Sequence, residues 1–369
     1  MSEGGFTRAI GLMSGTSMDG IDIALLDTDG HSLVRFGPTG CAPYNAADRA
    51  LLRQALARAA AIGGREADGV LAQAERMITH RHAEAVEVFL LEHRIDRAGV
   101  DLVGFHGQTV LHRPKDRVTV QIGDGAALAA ALRLPLVYDF RSADVAAGGE
   151  GAPLVPVFHR ALVEAAGIAK PVAVLNLGGV ANLTYIGEDG DPQACDTGPA
   201  NALIDDLMLE RAGLPFDRDG ARAARGRVNE DALGRLLDHP FFAGSGPQSL
   251  DRDAFSKSPT DALSLEDAAA TLTAFSAESV ARRLRAFHPP ARRVIACGGG
   301  VRNFTLMREL RARLDHPIES ADAFGWSADA MEAQAFAFLA VRSALGLPIT
   351  FPATTGAPRP LTGGVRIEP

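Results

Sequence analysis

The fold is decided by the stretch Arg8-Ala9-Ile10-Gly11-Leu12-Met13-Ser14-Gly15-Thr16-Ser17-Met18-Asp19-Gly20-Ile21-Asp22-Ile23-Ala24-Leu25-Leu26-Asp27. It is typical of two apolar strands joined by a glycine-rich turn. Such a turn lets backbone N–H groups approach an anion closely, because glycine has no Cβ. A P-loop and a G-x-G-x-x-G strand–helix junction are both absent. Taken alone, a glycine hairpin is more often an ordinary tight turn.

The same pattern returns far along the chain. Val172 to Leu175 is an apolar strand, and it leads into Asn176-Leu177-Gly178-Gly179-Val180-Ala181-Asn182. A third glycine element, Gly298-Gly299-Gly300, follows the apolar run Val294 to Cys297 and precedes a predicted helix. This repetition predicts two related domains, each with a phosphate-binding turn.

Length and composition agree with two domains. The chain has 369 residues, more than the ~250–300 at which single cores usually split. We place the first domain at residues 1–140 plus 346–369 and the second at 141–345. The net charge of −8 argues against nucleic acid as a partner, so phosphates must be held by backbone N–H groups, hydroxyls and Mg²⁺.

Cysteine usage and hydropathy bear on the compartment. The three cysteines lie far apart, which supports neither a disulfide framework nor a zinc site. We identify no signal peptide, and no apolar run reaches the ~18–20 residues that span a membrane. A cytoplasmic location without a membrane partner is therefore expected.

Helical periodicity predicts four long helices. They cover residues 46–61, 68–93, 265–287 and 327–345, the last with Ser327 as N-cap and Gly346 just beyond its end. The tail from Pro348 is rich in proline and glycine and is predicted to be loop-like.

The strongest candidate for a catalytic residue is Asp196. It lies in the run Ala194-Cys195-Asp196-Thr197-Gly198-Pro199-Ala200-Asn201. Pro199 suits the first position of a helix that runs to Arg211. Asp196 would then lie just before a helix N-terminus, where it is either a cap contributing ~1 kcal/mol or a general base. That position predicts a lowered pKa and hence a weak base.

These motifs together resemble the anhydro-N-acetylmuramic acid kinase family over essentially the whole chain. The matching stretches are Gly11 to Asp22, His106 to Thr109, Gln121 to Asp124, Asp139 to Arg141, Gly149 to Pro156, Asn176 to Asn182, Asp196 to Pro199, Cys297 to Gly300 and Met331 to Ala333. The chain departs from the family at Gln248-Ser249-Leu250-Asp251-Arg252, where many members have Lys-Ser-Thr-Gly-Arg, and at Ala200, where glycine is common.

The resemblance implies an α/β fold: a two-domain, actin-like ATPase of duplicated ribonuclease H-like domains with an interdomain cleft. It also implies a reaction in peptidoglycan recycling. ATP, water and 1,6-anhydro-N-acetylmuramic acid would give ADP and N-acetylmuramic acid 6-phosphate. Asp196 would be the base that activates water, and ATP and Mg²⁺ would be the cofactors.

By the same resemblance, the ATP-binding residues are Gly15, Thr16, Ser17, Met18, Asp19, Gly20, Ile21, Asp22, Asn176, Gly178, Gly179, Gly298, Gly299 and Gly300. Asp19 and Asp22 are also the candidate ligands of Mg²⁺, directly or through water.

The candidate sugar-binding residues are His106, Gln108, Thr109, Arg141 and Glu332. For the first three, the alternative is a strand-end turn without ligand contact. Arg141 would pair either with the lactyl carboxylate of the sugar or with Asp139 or Asp144 in the protein. Glu332 would reach a sugar hydroxyl or merely complement the dipole of its helix.

Two other functions were considered. A sugar kinase of the same superfamily acting on a free 6-hydroxyl would turn over an ordinary hexose. A chaperone-like ATP-binding module would need a peptide-binding domain, and two nucleotide-clasping domains leave no residues for one. Sugar and ATP are thus the expected partners, with a homodimer as a candidate assembly.

Overall fold

The computed structural model describes residues 5–15, 17–66, 69–244, 250 and 254–369. Its strands, in chain order, are β1 (Thr7–Ser14), β2 (Gly20–Thr28), β3 (Val34–Pro43), β4 (Leu102–Arg113), β5 (Val118–Ile122), β6 (Leu136–Tyr138), β7 (Val172–Leu177), β8 (Val180–Ile186), β9 (Gln193–Pro199), β10 (Val294–Cys297), β11 (Ile318–Ser320) and β12 (Val365–Ile367). Its helices are α1 (Ala46–Ile62), α2 (Val70–Glu92), α3 (Gly125–Leu132), α4 (Ser142–Ala146), α5 (Pro156–Ala165), α6 (Ala202–Ala212), α7 (Glu230–Leu237), α8 (Leu265–Leu284), α9 (Phe304–Arg313), α10 (Met331–Ala344) and α11 (Pro352–Thr355).

The chain divides into two compact units, one of Met1–Gly167 with Ala330–Pro369 and the other of Ile168–Asp329. These limits differ from the predicted boundaries at 140 and 346. Helices α5 and α10 account for the difference, because they contact each other and α10 packs on β1, β2 and β4. The second unit is therefore a continuous segment, whereas the first is built from both ends of the chain.

The first unit contains a sheet of seven strands in the order β12-β6-β4-β1-β2-β3, with β5 also paired to β4. The glycine hairpin pairs β1 with β2 in antiparallel orientation, and β3 continues the antiparallel meander. On the other side of β1, strands β4 and β6 run parallel.

The second unit repeats this plan in five strands, ordered β11-β10-β7-β8-β9. Its hairpin β7–β8 and strand β9 are antiparallel, and β10 and β11 are parallel to β7. Three antiparallel strands followed by two parallel ones therefore occur in the same order in both sheets. The duplication predicted from the two glycine hairpins is confirmed.

Helix α10 lies against the first sheet at two glycines, and close contact with the helix explains why both positions carry glycine. A Cβ at Gly11 would stand 1.8 Å from the carbonyl oxygen of Ala333, and one at Gly104 would stand 2.2 Å from that of Phe336. No larger residue fits between the strands and this helix without moving backbone.

Most predicted helices are confirmed with small shifts at their ends. The last differs most, because α10 begins at Met331 and Ser327 is not its N-cap, although Gly346 follows its end at a φ of 70° as expected. The predicted start at Asp68 lies outside the described residues. The tail is not wholly loop-like, since β12 pairs with β6.

Candidate functional site

The first glycine turn joins β1 to β2 and closes through its own hydrogen bonds. The N–H of Met18 donates to the carbonyl of Gly15 at 3.2 Å, and Met18 has a φ of 55°. The hydroxyl of Ser17 donates to the Asp19 carboxylate at 2.7 Å. Thr16, predicted to contact ATP, lies outside the described residues. Two hydrogen bonds among its described residues therefore support this turn.

Gln108 ties this turn to strand β4. Its side-chain oxygen accepts a hydrogen bond from Ser14 Oγ at 2.6 Å, and its amide nitrogen donates to the carbonyl of Gly15 at 3.1 Å. The hydroxyl of Tyr44 also bonds Ser14 Oγ, at 2.9 Å. Gln108 has no exposed surface. The amide of Gln108 therefore supports the first glycine turn, and its contact with a sugar stays a prediction.

The second glycine turn, between β7 and β8, is held by the residues that lead into α6. The carbonyl of Gly179 accepts from the N–H of Ala200 at 2.8 Å. The carbonyl of Gly178 accepts from the backbone N–H of Asn201 at 3.1 Å and from its side-chain amide at 2.8 Å. Asn201 lay within the Asp-Thr-Gly-Pro stretch but was not assigned a role from the sequence.

The glycine run after β10 meets this second turn. A Cβ at Gly298, where φ is 81°, would stand 2.3 Å from Asn176 Oδ1. One at Gly300 would stand 2.6 Å from the Cβ of Leu177. The glycines thus permit close contact between β10 and β7. The structure therefore brings Gly298 and Gly300 against the strand end that leads into the second glycine turn.

Asp196 lies within strand β9, at a β-bulge. It pairs with Asn182 of β8, whereas the next pair along is Gly198 with Ala181, which leaves Thr197 as the extra residue. A bulge bends its strand and re-aims the neighbouring side chain. Gly198 has a φ of 147°, and a Cβ there would stand 2.7 Å from that of Ser279 on α8. The glycine of the motif is therefore required both by its backbone angle and by packing.

Two predictions about Asp196 are wrong. Helix α6 begins at Ala202, so Pro199 ends a strand and is not the first residue of a helix. Asp196 therefore lies inside a strand and not directly before the first residue of that helix. Burial instead raises the pKa of Asp196 to about 6, against smaller opposing effects of a hydrogen bond from Leu250 and the charge of Arg283.

A hydrogen bond to Asp196 comes from the segment in which the chain departs from the family that it resembles. The backbone N–H of Leu250 donates to Asp196 Oδ2 at 2.6 Å. The other four residues of the departure, Gln248, Ser249, Asp251 and Arg252, lie outside the described residues. Because the donor is a backbone group, the contact does not depend on which side chain position 250 carries.

Arg141 bonds neither of the carboxylates considered from the sequence. Its Nε and Nη2 lie 3.1 and 3.0 Å from His106 Nε2, and its Nη1 donates to the carbonyl of Gly151 at 2.7 Å. Burial lowers the pKa of Arg141 to about 10, while the nearby charges of Glu332 and Asp144 act in the opposite direction. His106 is only 4% exposed, so its surface is taken up by the protein.

Glu332 lies in the first turn of α10, as predicted, and its electrostatic neighbours are Arg141 and Asp22. Surrounding protein raises the pKa of Glu332, although part of this side chain is open to solvent. The charge of Arg141 opposes the rise, and that of Asp22 adds to it. The charge of Asp22, a candidate metal ligand, thus affects the protonation of Glu332, a candidate sugar-binding residue.

Thr109 and the candidate Mg²⁺ ligands Asp19 and Asp22 all belong to the first unit. Thr109 accepts a hydrogen bond from the side-chain amide of Gln121 across the β4–β5 pair, at 3.1 Å. Within the described ranges, no group of three or more His, Cys, Asp or Glu side chains converges as metal ligands do. Asp19 and Asp22 suit the other arrangement, in which one or two carboxylates hold Mg²⁺ that is bound mainly by phosphates and water.

Comparison with known proteins decides the family. The family model for anhydro-N-acetylmuramic acid kinase matches residues 7–368. The chain belongs to the anhydro-N-acetylmuramic acid kinase family. A member from Methylobacterium nodulans is 56% identical over 373 residues, covering 98% of this chain and 100% of that protein. One from Rhodopseudomonas palustris is 54% identical over 363 residues, covering 98% and 99%.

Solved structures with similar shape are more distant than these anhydro-N-acetylmuramic acid kinases. Component A of (R)-2-hydroxyglutaryl-CoA dehydratase from Acidaminococcus fermentans has a TM-score of 0.48 at 10% identity and covers 92% of this chain and 99% of that one. A ROK family glucokinase from Streptomyces griseus, in complex with glucose and AMPPNP, has a TM-score of 0.42 at 14% identity, with coverage of 90% and 99%. Among the described residues, no helix combines the length and apolarity needed to cross a membrane.

Proposed function

We propose that the chain uses MgATP and water to convert 1,6-anhydro-N-acetylmuramic acid to N-acetylmuramic acid 6-phosphate and ADP, in the recycling of peptidoglycan. The pKa of Asp196, raised by burial to about 6, carries the proposal. A base with a pKa just below the working pH is ionised in most molecules and is still basic enough to accept a proton. Membership of the anhydro-N-acetylmuramic acid kinase family supplies the substrate.

The substrate explains why a base is needed for water rather than for a sugar hydroxyl. In the anhydro sugar, O6 is part of an acetal with C1 and has no proton to lose. Water therefore attacks C1 and gives its proton to Asp196, and the C1–O6 bond breaks as O6 leaves. O6 in turn attacks the γ-phosphorus, and the bond from that phosphorus to the β,γ-bridging oxygen breaks to release ADP. The anomeric carbon has oxocarbenium character, which lowers the strength required of the base.

The glycine elements are proposed to hold the nucleotide. The turn from Gly15 to Asp22 and the turn at Gly178–Gly179 would contact phosphates with backbone N–H groups. Gly298–Gly300 would lie beside the nucleoside. Asp19 and Asp22 would hold the Mg²⁺ of MgATP, which neutralises phosphate charge during phosphoryl transfer.

The sugar is proposed to be recognised by Arg141 and Glu332. Arg141 carries a positive charge whose geometry matches a carboxylate, and the lactyl group of the substrate supplies one. Glu332 can accept a hydrogen bond from a sugar hydroxyl. Thr109 remains a candidate for a further polar contact.

ADP release with MgATP tests the function. The anhydro sugar is compared with N-acetylmuramic acid, N-acetylglucosamine and glucose, and the products are identified by mass spectrometry. We expect turnover on the anhydro sugar, with ADP and the 6-phosphate formed in equal amounts. In heavy-oxygen water, promptly quenched product should carry the label at C1 and none on phosphorus.

Turnover confined to a sugar with a free 6-hydroxyl would instead support the alternative kinase and remove the water-activating role of Asp196. ATP hydrolysis without sugar phosphate would overturn both. A cytoplasmic location, where ATP is available, and a homodimer belong to the same proposal. Light scattering of the purified protein measures the oligomeric state.

A further inference from the structure

The contact between His106 and Arg141 fixes the protonation of the imidazole. A guanidinium can only donate hydrogen bonds, so His106 Nε2, at 3.1 and 3.0 Å from two Arg141 nitrogens, must be an unprotonated acceptor. His106 Nδ1 lies 2.8 Å from the carbonyl oxygen of Gly107, which can only accept. Nδ1 therefore carries the proton, and the ring is neutral.

Packing holds the ring in this orientation. His106 lies within β4, directly after Phe105, the last residue of β4 that pairs with β6, and is 4% exposed. Its centroid is 4.6 Å from that of Phe336 on α10. Burial lowers the pKa of His106 well below the usual value, and the charge of Arg141 lowers it further. Geometry and electrostatics thus favour the same neutral state.

The opposite side of Arg141 is fixed by a second chain of hydrogen bonds. Its Nη1 donates to the carbonyl of Gly151, whose N–H donates to Asp144 at 2.7 Å. Asp144 also accepts from the Thr355 hydroxyl at 2.7 Å. Within the described part of the chain, three of the five guanidinium N–H donors are directed at protein acceptors, which leaves two for a ligand.

We propose that His106 is a positioning residue, which as a neutral imidazole aims the guanidinium of Arg141 at the carboxylate of the sugar substrate. The proposal rests on the proposed function for the identity of that carboxylate. Protonation of Nε2 would remove the acceptor and place a second positive charge against Arg141. The other ionisable groups facing this pair are His82, which acts on His106, and Asp144 and Glu332, which act on Arg141.

Two substitutions separate positioning from mere packing. His106→Phe keeps a ring against Phe336 but removes the acceptor. His106→Gln keeps an acceptor near the place of Nε2 and cannot become charged. With the phenylalanine variant we expect the KM for the anhydro sugar to rise about 10- to 100-fold, the range for losing a hydrogen bond to a charged group. The kcat and the KM for ATP should stay within about threefold, and the glutamine variant should stay near wild type in all three.

Equal losses in both variants, or equal effects on the KM values for sugar and ATP, would overturn the proposal. Thermal unfolding of each variant identifies a protein that has simply failed to fold. Nuclear magnetic resonance of histidine-labelled protein gives a readout independent of turnover, with the His106 signal assigned by its loss in His106→Gln. An Nδ1-protonated, Nε2-bare ring is expected at neutral pH, and an Nε2-protonated or doubly protonated ring would refute the inference. Failure of the wild type to act on the anhydro sugar would refute the proposed function and leave the tautomer result standing.

Discussion

Replacing Asp196 by asparagine should abolish most of the turnover while leaving the local structure intact. The asparagine side-chain oxygen can still accept the hydrogen bond from the N–H of Leu250, which is 2.6 Å from the native carboxylate. The substituted amide cannot take a proton from water. General-base catalysis contributes roughly 10²–10⁴-fold, so we expect kcat to fall about 10³-fold, equivalent to about 4 kcal/mol.

The pKa of Asp196 also sets the pH dependence of the wild-type enzyme. With a pKa of about 6, the carboxylate is ionised in about 90% of molecules at pH 7 and in about 10% at pH 5. Because the base must be deprotonated, kcat/KM should decrease as the pH falls through about 6, approaching tenfold per pH unit. Had the pKa been lowered, as the sequence alone suggested, this decrease would begin below pH 4.

ADP release across the pH range measures both effects, and fluorescence or calorimetric titration with MgATP checks that nucleotide binding survives. Asp189→Asn is a suitable control, since Asp189 is an exposed aspartate of the same unit on the β8–β9 turn. The reasoning would be refuted if Asp196→Asn kept more than about a tenth of the turnover, given the 10²-fold minimum for a general base. An activity that stays level down to pH 4 would refute the assigned pKa.

Three further substitutions test the support around the site. Gln108→Leu removes both hydrogen bonds to the first glycine turn, so the KM for ATP should rise about 10-fold in steady-state assays. The free energy of unfolding should fall by about 1–3 kcal/mol. An unchanged KM for ATP would show that Gln108 does not support the turn. Leu250→Pro removes the N–H that lowers the pKa of Asp196, so the acid limb of kcat/KM should move to higher pH, whereas Leu250→Ala should leave it in place. Gly198→Ala should destabilise the protein by about 1–3 kcal/mol more than Gly190→Ala, as measured by denaturant unfolding. Both glycines have a positive φ, but of the two only Gly198 has a close neighbour. Equal losses of unfolding free energy would contradict the packing argument.

The sequence predicted the parts of the fold that depend on local pattern. Each glycine hairpin stands out because apolar strands flank a turn of small residues, and the repeat of that pattern implied the duplicated sheet. Strand β3 was missed because it contains Gly37, Pro38 and Gly40, residues usually depleted in strands. As an edge strand, β3 tolerates a proline that would interrupt a central one.

The sequence identified residues of the candidate site, but it did not predict their burial, their hydrogen-bond partners or their pKa values. Asp196 was found because Asp-Thr-Gly-Pro is distinctive, yet its pKa was predicted in the wrong direction. Proline after glycine is as compatible with the end of a bulged strand as with the start of a helix. Gln108 shows the same limit, because burial and the partners Ser14 and Gly15 arise from strand pairing between β1 and β4, which local sequence does not encode.

The route of the chain has a consequence for biosynthesis. The second unit is one uninterrupted segment, so all its strands have been synthesised before the chain returns to the first unit. The first unit has its antiparallel strands early but lacks α10, which covers Gly11 and Gly104. The part of the protein that is synthesised first is therefore the last to complete its core. A stalled or truncated chain should expose the face of the first sheet that α10 covers, although the second unit is already complete.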